Sequence, residues 1–97
     1  ETVLKAKLGQ AISALGKGEA WLMLELEDNC RLWFRGEQTE PLAMVEVSLF
    51  GKAREEQYDK MTKLICEILE SELGIDPEGV YVKYEEVEHW GYNRFNF

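Results

Sequence analysis

Histidine and cysteine are scarce: His89 is the one histidine, and Cys30 and Cys66 are the two cysteines. A lone histidine without a cysteine cluster leaves no set of zinc ligands at a recognisable spacing, so no metal and no other cofactor is expected. The same shortage leaves no nucleophile–histidine triad to assemble. His89, beside Trp90, reads as a packing or surface residue. Cys30 and Cys66 stand far apart, outside any C-x-x-C spacing, and a disulfide is not expected between them. Cys66 falls within a helical apolar pattern and reads as a small buried hydrophobe. A reducing cytoplasm suits such usage. There is no glycine-rich phosphate loop. No run is long and apolar enough to span a bilayer, and no basic-plus-apolar leader is visible.

Positive charge is also short. Eleven lysines and arginines face nineteen acids, for a formal net charge of −8. That balance argues against a nucleic-acid backbone or an anionic membrane as partner. What remains is an ordinary globular composition over 97 residues, enough for one domain spanning 1–97. A chain of this length buries only about 60–65% of its unfolded surface, so association would help it.

Leu4, Leu8, Ala11, Ile12 and Leu15 recur at helical spacing, with Gly16 placed for a left-handed cap and Thr2 for an N-cap. Leu22, Leu24 and Leu26 alternate with Trp21, Met23 and Glu25, which predicts a strand from Trp21 to Glu27. Asp28-Asn29 is turn chemistry, Cys30 to Phe34 reads as a short return strand, and Arg35 to Pro41 as an exposed loop. Ala43 to Phe50 is the clearest strand. A helix from about Arg54 to Leu73 follows, carrying Tyr58, Met61, Leu64, Ile65, Ile68, Leu69 and Leu73 on one side. Gly74 caps it, Asp76 to Gly79 turns, and Val80 to Val87 is a further strand. The tail from His89 to Phe97 is rich in aromatics and glycine.

Two stretches repeat. "ALGKGEAWLMLELED" and "ELGIDPEGVYVKYEE" each run from a helix end through Leu-Gly and a polar turn into a strand that ends in acids. The second copy is complete as strand, helix, strand. The first has only helix and strand, so the repeat predicts a further strand before Glu1. Strand–helix–strand units make parallel neighbours with the helix on one face. The expected fold is therefore α+β: a two-layer sandwich of a four-stranded mixed sheet with two helices on one face. The other sheet face would carry Trp21, Met23, Glu25, Met44, Glu46, Ser48, Phe50, Tyr81, Lys83 and Glu85. Such a mixed face suits a subunit interface or a partly wet channel, and an obligate oligomer is expected.

The residues with chemistry to offer are lysines and aromatics near strand ends: Lys17, Phe50, Lys52, Tyr81, Lys83, Trp90 and Tyr92. An ammonium beside aromatic rings suits a small aromatic carboxylate. Taken alone, each lysine is more often a solvated surface charge, and each aromatic more often a core or interface residue.

Three stretches resemble the tautomerase superfamily, in the branch of macrophage migration inhibitory factor and D-dopachrome tautomerase. "VEVSLFGK" is similar to that family's third strand and its Gly-Lys exit. "KLICEILESELGIDPEGVYVKYEEV" is similar to its second helix, turn and following strand, and "WGYN" to its Gly-Trp-Asn tail. "ALGKGEAW" also matches the end of its first helix. The resemblance implies a homotrimer of β-α-β-β-α-β subunits and keto–enol tautomerisation of phenylpyruvate-like or dopachrome-like compounds. The base would be an amino-terminal proline that opens the first strand, in a pocket between subunits. By matching position, Lys17 resembles the lysine that meets the substrate carboxylate. Phe50 replaces an isoleucine whose backbone amide points into the site. Tyr81 matches a tyrosine given by the neighbouring subunit, and Trp90, Tyr92 and Phe97 match apolar or aromatic positions of the rim.

Several departures follow. Lys83 stands where the vertebrate cytokine has asparagine and adds charge near the pocket, and Tyr92 replaces a tryptophan. The cytokine's C-x-x-C is absent, so a thiol oxidoreductase role has no support. Pro41 and Pro77 are internal and have no free amine, so no catalytic base of the family type is present among these residues. The expected function is a phenylpyruvate-type tautomerase acting on a small aromatic 2-keto acid. The rival is a non-enzymatic trimer that binds, signals or scaffolds. The expected location is cytoplasmic, with export lacking a signal peptide as an alternative.

Overall fold

In the computed structural model, Glu55–Leu73 form the long helix α2. The structure describes residues 1–28, 30–37 and 41–96. The backbone N–H of Arg54 donates to Gln57 Oε1 at 2.8 Å, one half of a capping box. The other half needs a side-chain oxygen on the cap residue, which arginine lacks. Glu55 and Glu56 occupy the first turn, where negative charge meets the positive end of the helix dipole. Gly74, at φ 67°, closes the helix in the left-handed conformation that glycine adopts without strain. Ile75 then drops into the core.

The first helix, α1, spans Thr2–Ala11 and tightens into a 3-10 turn, Ile12–Leu15, that ends at Gly16 with φ 75°. It begins one residue earlier than the capping pattern predicts: Thr2 lies inside the helix, Glu1 precedes it, and no side chain caps the start. Leu4, Ala11, Ile12 and Leu15 from this stretch meet Met61, Ile65 and Leu69 of α2, and Ile65 is 1% exposed. Lys7 Nζ pairs with Glu72 at 2.5 Å across the two helices.

Both helices lie on one face of a parallel pair, β1 (Ala43–Phe50) and β2 (Val80–Val87). The register runs from Ala43 opposite Val80 to Phe50 opposite Val87. Alternation works as expected for a strand with one buried face. Val45, Val47, Val82 and Tyr84 turn to the helices, while Met44, Glu46, Tyr81 and Lys83 turn outward. The tail forms a hairpin of β3 (Gly91–Tyr92) and β4 (Phe95–Asn96).

The α+β class and the two helices over one sheet face are as expected. Ladder pairing among the described residues is narrower than a four-stranded sheet, because the sheet under the helices has two strands, β1 and β2. Glu19–Trp21 form a 3-10 turn, and Leu22 to Asp28 are in no ladder. The alternation survives there, with Leu22 and Leu24 half-buried while Met23 is 95% exposed. A period of two therefore marks the faces of this segment as far as Leu24, whereas Leu26, expected on the buried face, is exposed. A strand, however, also needs a neighbour to take its backbone hydrogen bonds. Cys30 to Phe34 likewise make no return strand, and Phe34 pairs only with Glu37 across a tight turn. Asn29 and part of the Arg35–Pro41 loop lie outside the described residues.

Candidate active site

Lys17 follows Gly16 at the end of the first helical stretch, where the left-handed turn sends the chain back toward the sheet. Its ammonium donates to the Phe50 carbonyl oxygen at 2.9 Å, and the side chain is half-buried. Phe50 is the last residue of β1, and the Gly51 N–H continues the pairing to Val87 O at 2.9 Å. Lys17, the end of β1 and the end of β2 thus share one end of the sheet. One ammonium proton is spent on a neutral carbonyl, which leaves two donors and the full positive charge for an anion.

The same end gathers aromatics. The 3-10 turn after Lys17 brings Trp21 against Tyr92 of the tail, ring centroids 5.4 Å apart and planes at 88°. This edge-to-face contact is the arrangement aromatic quadrupoles favour. Trp21 nevertheless remains 76% exposed and Phe95 77%. Trp90 is half-buried between β2 and the hairpin. Phe97 lies outside the described residues.

Two other expected site residues sit elsewhere. Tyr81 is opposite Met44, six positions before Phe50 in the register, which is about 20 Å along the strand. Its ring meets Phe34 edge to face at 5.2 Å and is 61% exposed. Arg35 lies over the other ring of that pair, Phe34, at 5.0 Å. Lys83 is opposite Glu46 and pairs with it at 3.8 Å, both side chains being more than half exposed. One chain therefore joins Lys17, Phe50 and Tyr92 but holds Tyr81 and Lys83 away from them.

Among the described residues, two concavities lie away from Lys17, Phe50 and Tyr92. A groove of about 190 Å³ lies at the opposite end of the sheet, between Trp33, Phe34, Leu42, Met44 and Tyr81. An open concavity of about 320 Å³ lies between the start of α1 and Leu24 and Leu26. Neither contains Lys17. Trp21 and Phe34 were not among the expected site residues. The usable signal for Trp21 is its position one short turn beyond the lysine. For Phe34 it is the Arg-Gly turn that reverses the chain beside it. Among the described residues no group of three or more His, Cys, Asp or Glu side chains could hold a metal ion. No helix there is long and apolar enough to cross a membrane.

The family model described as macrophage migration inhibitory factor (MIF) matches residues 1–94. The chain belongs to the MIF family. It is 29% identical over 87 residues to macrophage migration inhibitory factor of Xenopus laevis, a match that covers 90% of this chain and 75% of that protein. The crystal structure of Leishmania major MIF2 is 30% identical with a TM-score of 0.87, covering 100% of this chain and 87% of the other. Macrophage migration inhibitory factor of Toxoplasma gondii superposes with a TM-score of 0.91 at 20% identity, again over 100% and 87% of the two chains. Membership carries a tautomerase-like or MIF-like function, and the fold agrees with the MIF architecture.

Proposed function

We propose that this MIF-family chain serves a keto–enol tautomerase of phenylpyruvate-like 2-oxo acids, working as a homotrimer with sites between subunits. The observation that carries the reading is the separation of Lys17 from Tyr81 by the length of the sheet. A site that uses both must take Lys17, Phe50 and Tyr92 from one copy and Tyr81 from another. That contact is head to tail, and a head-to-tail contact that closes makes a ring. The exposed aromatics at the two ends, Trp21 with Tyr92 and Phe34 with Tyr81, give such a ring apolar surface to bury.

In the proposed site Lys17 holds the substrate carboxylate. Trp21, Trp90, Tyr92 and the Tyr81 ring of the next copy shield the aromatic part from water. The reaction moves a proton between the carbon beside the keto group and that group's oxygen. By resemblance the base is the secondary amine of an amino-terminal proline. An apolar pocket disfavours the charged amine and lowers its pKa, so the free base is present near pH 7. The outer edges of the β1–β2 sheet offer backbone groups with which a strand bearing that proline could pair. The free thiols of Cys30 and Cys66 support a cytoplasmic location.

The second reading, a trimer that binds or signals without chemistry, draws on one observation: neither of the two concavities described above contains Lys17. Phenylpyruvate enolisation, followed by ultraviolet absorbance in the protein bearing the amino-terminal proline, separates the two. Turnover that is lost on proline→glycine substitution supports the enzyme. Full turnover in that variant overturns the mechanism, and no turnover in either form favours binding alone.

A further inference from the structure

Two hairpin turns in this chain have the same backbone form but different chemistry. In the first, Phe34 and Glu37 exchange hydrogen bonds of 2.8 and 3.0 Å around Arg35 and Gly36, both at positive φ (55° and 76°). In the second, Tyr92 pairs with Phe95 around Asn93 and Arg94, at φ 51° and 80°. Two-residue hairpins with positive φ at both central positions favour Asn-Gly, with glycine second. The first turn obeys that rule with Gly36. The second keeps the asparagine but places arginine where glycine is expected. A left-handed backbone is unfavourable for a long side chain, and residues held there cluster at functional sites.

The two arginines are also used differently. Arg35 is spent on the Phe34 ring. Arg94 is exposed, and no hydrogen bond, ion pair or ring contact engages it among the described residues. It follows Tyr92 by two positions, and Tyr92 touches Trp21, which follows Lys17 by four. The one ring contact, Trp21 on Tyr92, thus joins the segment that follows Lys17 to the hairpin that carries Arg94, at the same end of the sheet. The chain as a whole carries a net charge of −8, which repels an anionic ligand at long range, so local cations must do the selecting. An arginine fork with all its donors open matches a carboxylate.

We propose that Arg94 is a specificity-determining residue that favours 2-oxo acids bearing a second carboxylate, with Lys17 taking one carboxylate and Arg94 the other. The proposal rests on the site described under the tautomerase reading and adds the substrate class to it.

The test compares phenylpyruvate with 4-carboxyphenylpyruvate, which differ by one carboxylate, in the assembled wild-type protein and in Arg94→Gly, Arg94→Asn and Arg94→Lys. Binding is read from tryptophan fluorescence, which does not depend on turnover, and enolisation is read in the same samples. Arg94→Gly should weaken the dicarboxylate about tenfold and leave phenylpyruvate within about twofold, with Arg94→Lys between. Thermal unfolding of Arg94→Gly should rise by a few degrees, on the order of 4 °C, as strain is released. If that variant is poorly folded, Arg94→Asn, which tolerates the left-handed backbone, reads the same ratio. An unchanged ratio, equal loss of both ligands, or no saturable signal with wild type overturns the proposal. Turnover with an unchanged ratio refutes Arg94 alone. A ratio that shifts without turnover in any form refutes the enzyme and keeps Arg94 as an anion selector.

Discussion

The Lys17 ammonium donates to the Phe50 carbonyl oxygen at 2.9 Å, tying the end of the first helical stretch to the end of β1. This bond places the charge that the proposed site needs and fixes it on rigid backbone. Lys17→Ala should therefore raise KM for carboxylate substrates about tenfold or more, with a smaller change in kcat. Steady-state kinetics on phenylpyruvate check this, and an unchanged KM removes Lys17 from the site.

The distance between Lys17 and Tyr81 gives a test of shared sites. Lys17→Ala and Tyr81→Ala, each weakened alone, should regain activity when unfolded together and reassembled. Random mixing restores about a quarter of the sites, because each proposed site draws on two neighbouring copies. Activity that stays at the level of the separate variants would place both residues in one chain's site or neither in any.

The core makes a firmer prediction. Ile65 is 1% exposed between the two helices and the sheet, and Ile65→Ala should cost about 2–5 kcal/mol. Urea unfolding should show a lower midpoint with little change in slope.

Two tyrosines join α2 to β2. Tyr58 donates to Glu86 Oε2 at 2.7 Å, and the Tyr84 and Thr62 hydroxyls lie 2.7 Å apart. Burial pushes the Tyr84 phenol up, against the Thr62 hydrogen bond. Burial also raises Tyr58, with the Glu86 carboxylate adding to it. A raised folded pKa means the neutral phenols stabilise the fold fully below the ordinary value of 10.0, and that part is lost as pH climbs through the folded values. Urea midpoints should fall as the pH rises from about 10 upward, and the Tyr58→Phe, Tyr84→Phe double variant should show a flatter fall there.

The acid side has its own contributor. The hydrogen bond from Lys7 holds the Glu72 carboxyl below its ordinary 4.5. Its stabilisation is present above that value and is lost as pH drops through the depressed one. Glu72→Gln should make acid unfolding less steep, as followed by far-ultraviolet circular dichroism. An identical acid limb would show that the pair is fully screened.

How much of this was legible in the residues varies by element. Strand β1, helix α2 and strand β2 were readable almost to the residue, because each carries its own signal. The strands alternate with period two, the helix has a continuous apolar stripe, and Gly74 marks where it must stop. Leu22 to Leu26 show the limit of that method. Periodicity reports which side of a segment is buried, and it did so for Leu22 and Leu24 but not for the exposed Leu26, and it cannot report whether a neighbour exists to pair with it. The site was legible one residue at a time. Lys17 was legible as the residue after the first helix and Tyr92 as a tail aromatic, but nothing in their spacing says that they share one end of the sheet. Trp21, the ring that connects them, was assigned to the open sheet face, because a 3-10 turn leaves no periodic trace.

The two-stranded sheet has a consequence for how the protein survives at high concentration. Outer strand edges are templates for unwanted pairing, and charged side chains along them are the usual guard. Strand β2 carries Lys83, Glu85 and Glu86, whereas β1 carries Glu46 alone among Ala43, Met44, Val45, Val47 and Leu49. The β1 edge is thus the adhesive one. Glu46 is the main charge that keeps β1 from zipping onto another copy, and Glu46→Gln would remove it. Aggregation, when it comes, should start there, and the same stickiness makes that edge the natural place for a proper partner strand to sit.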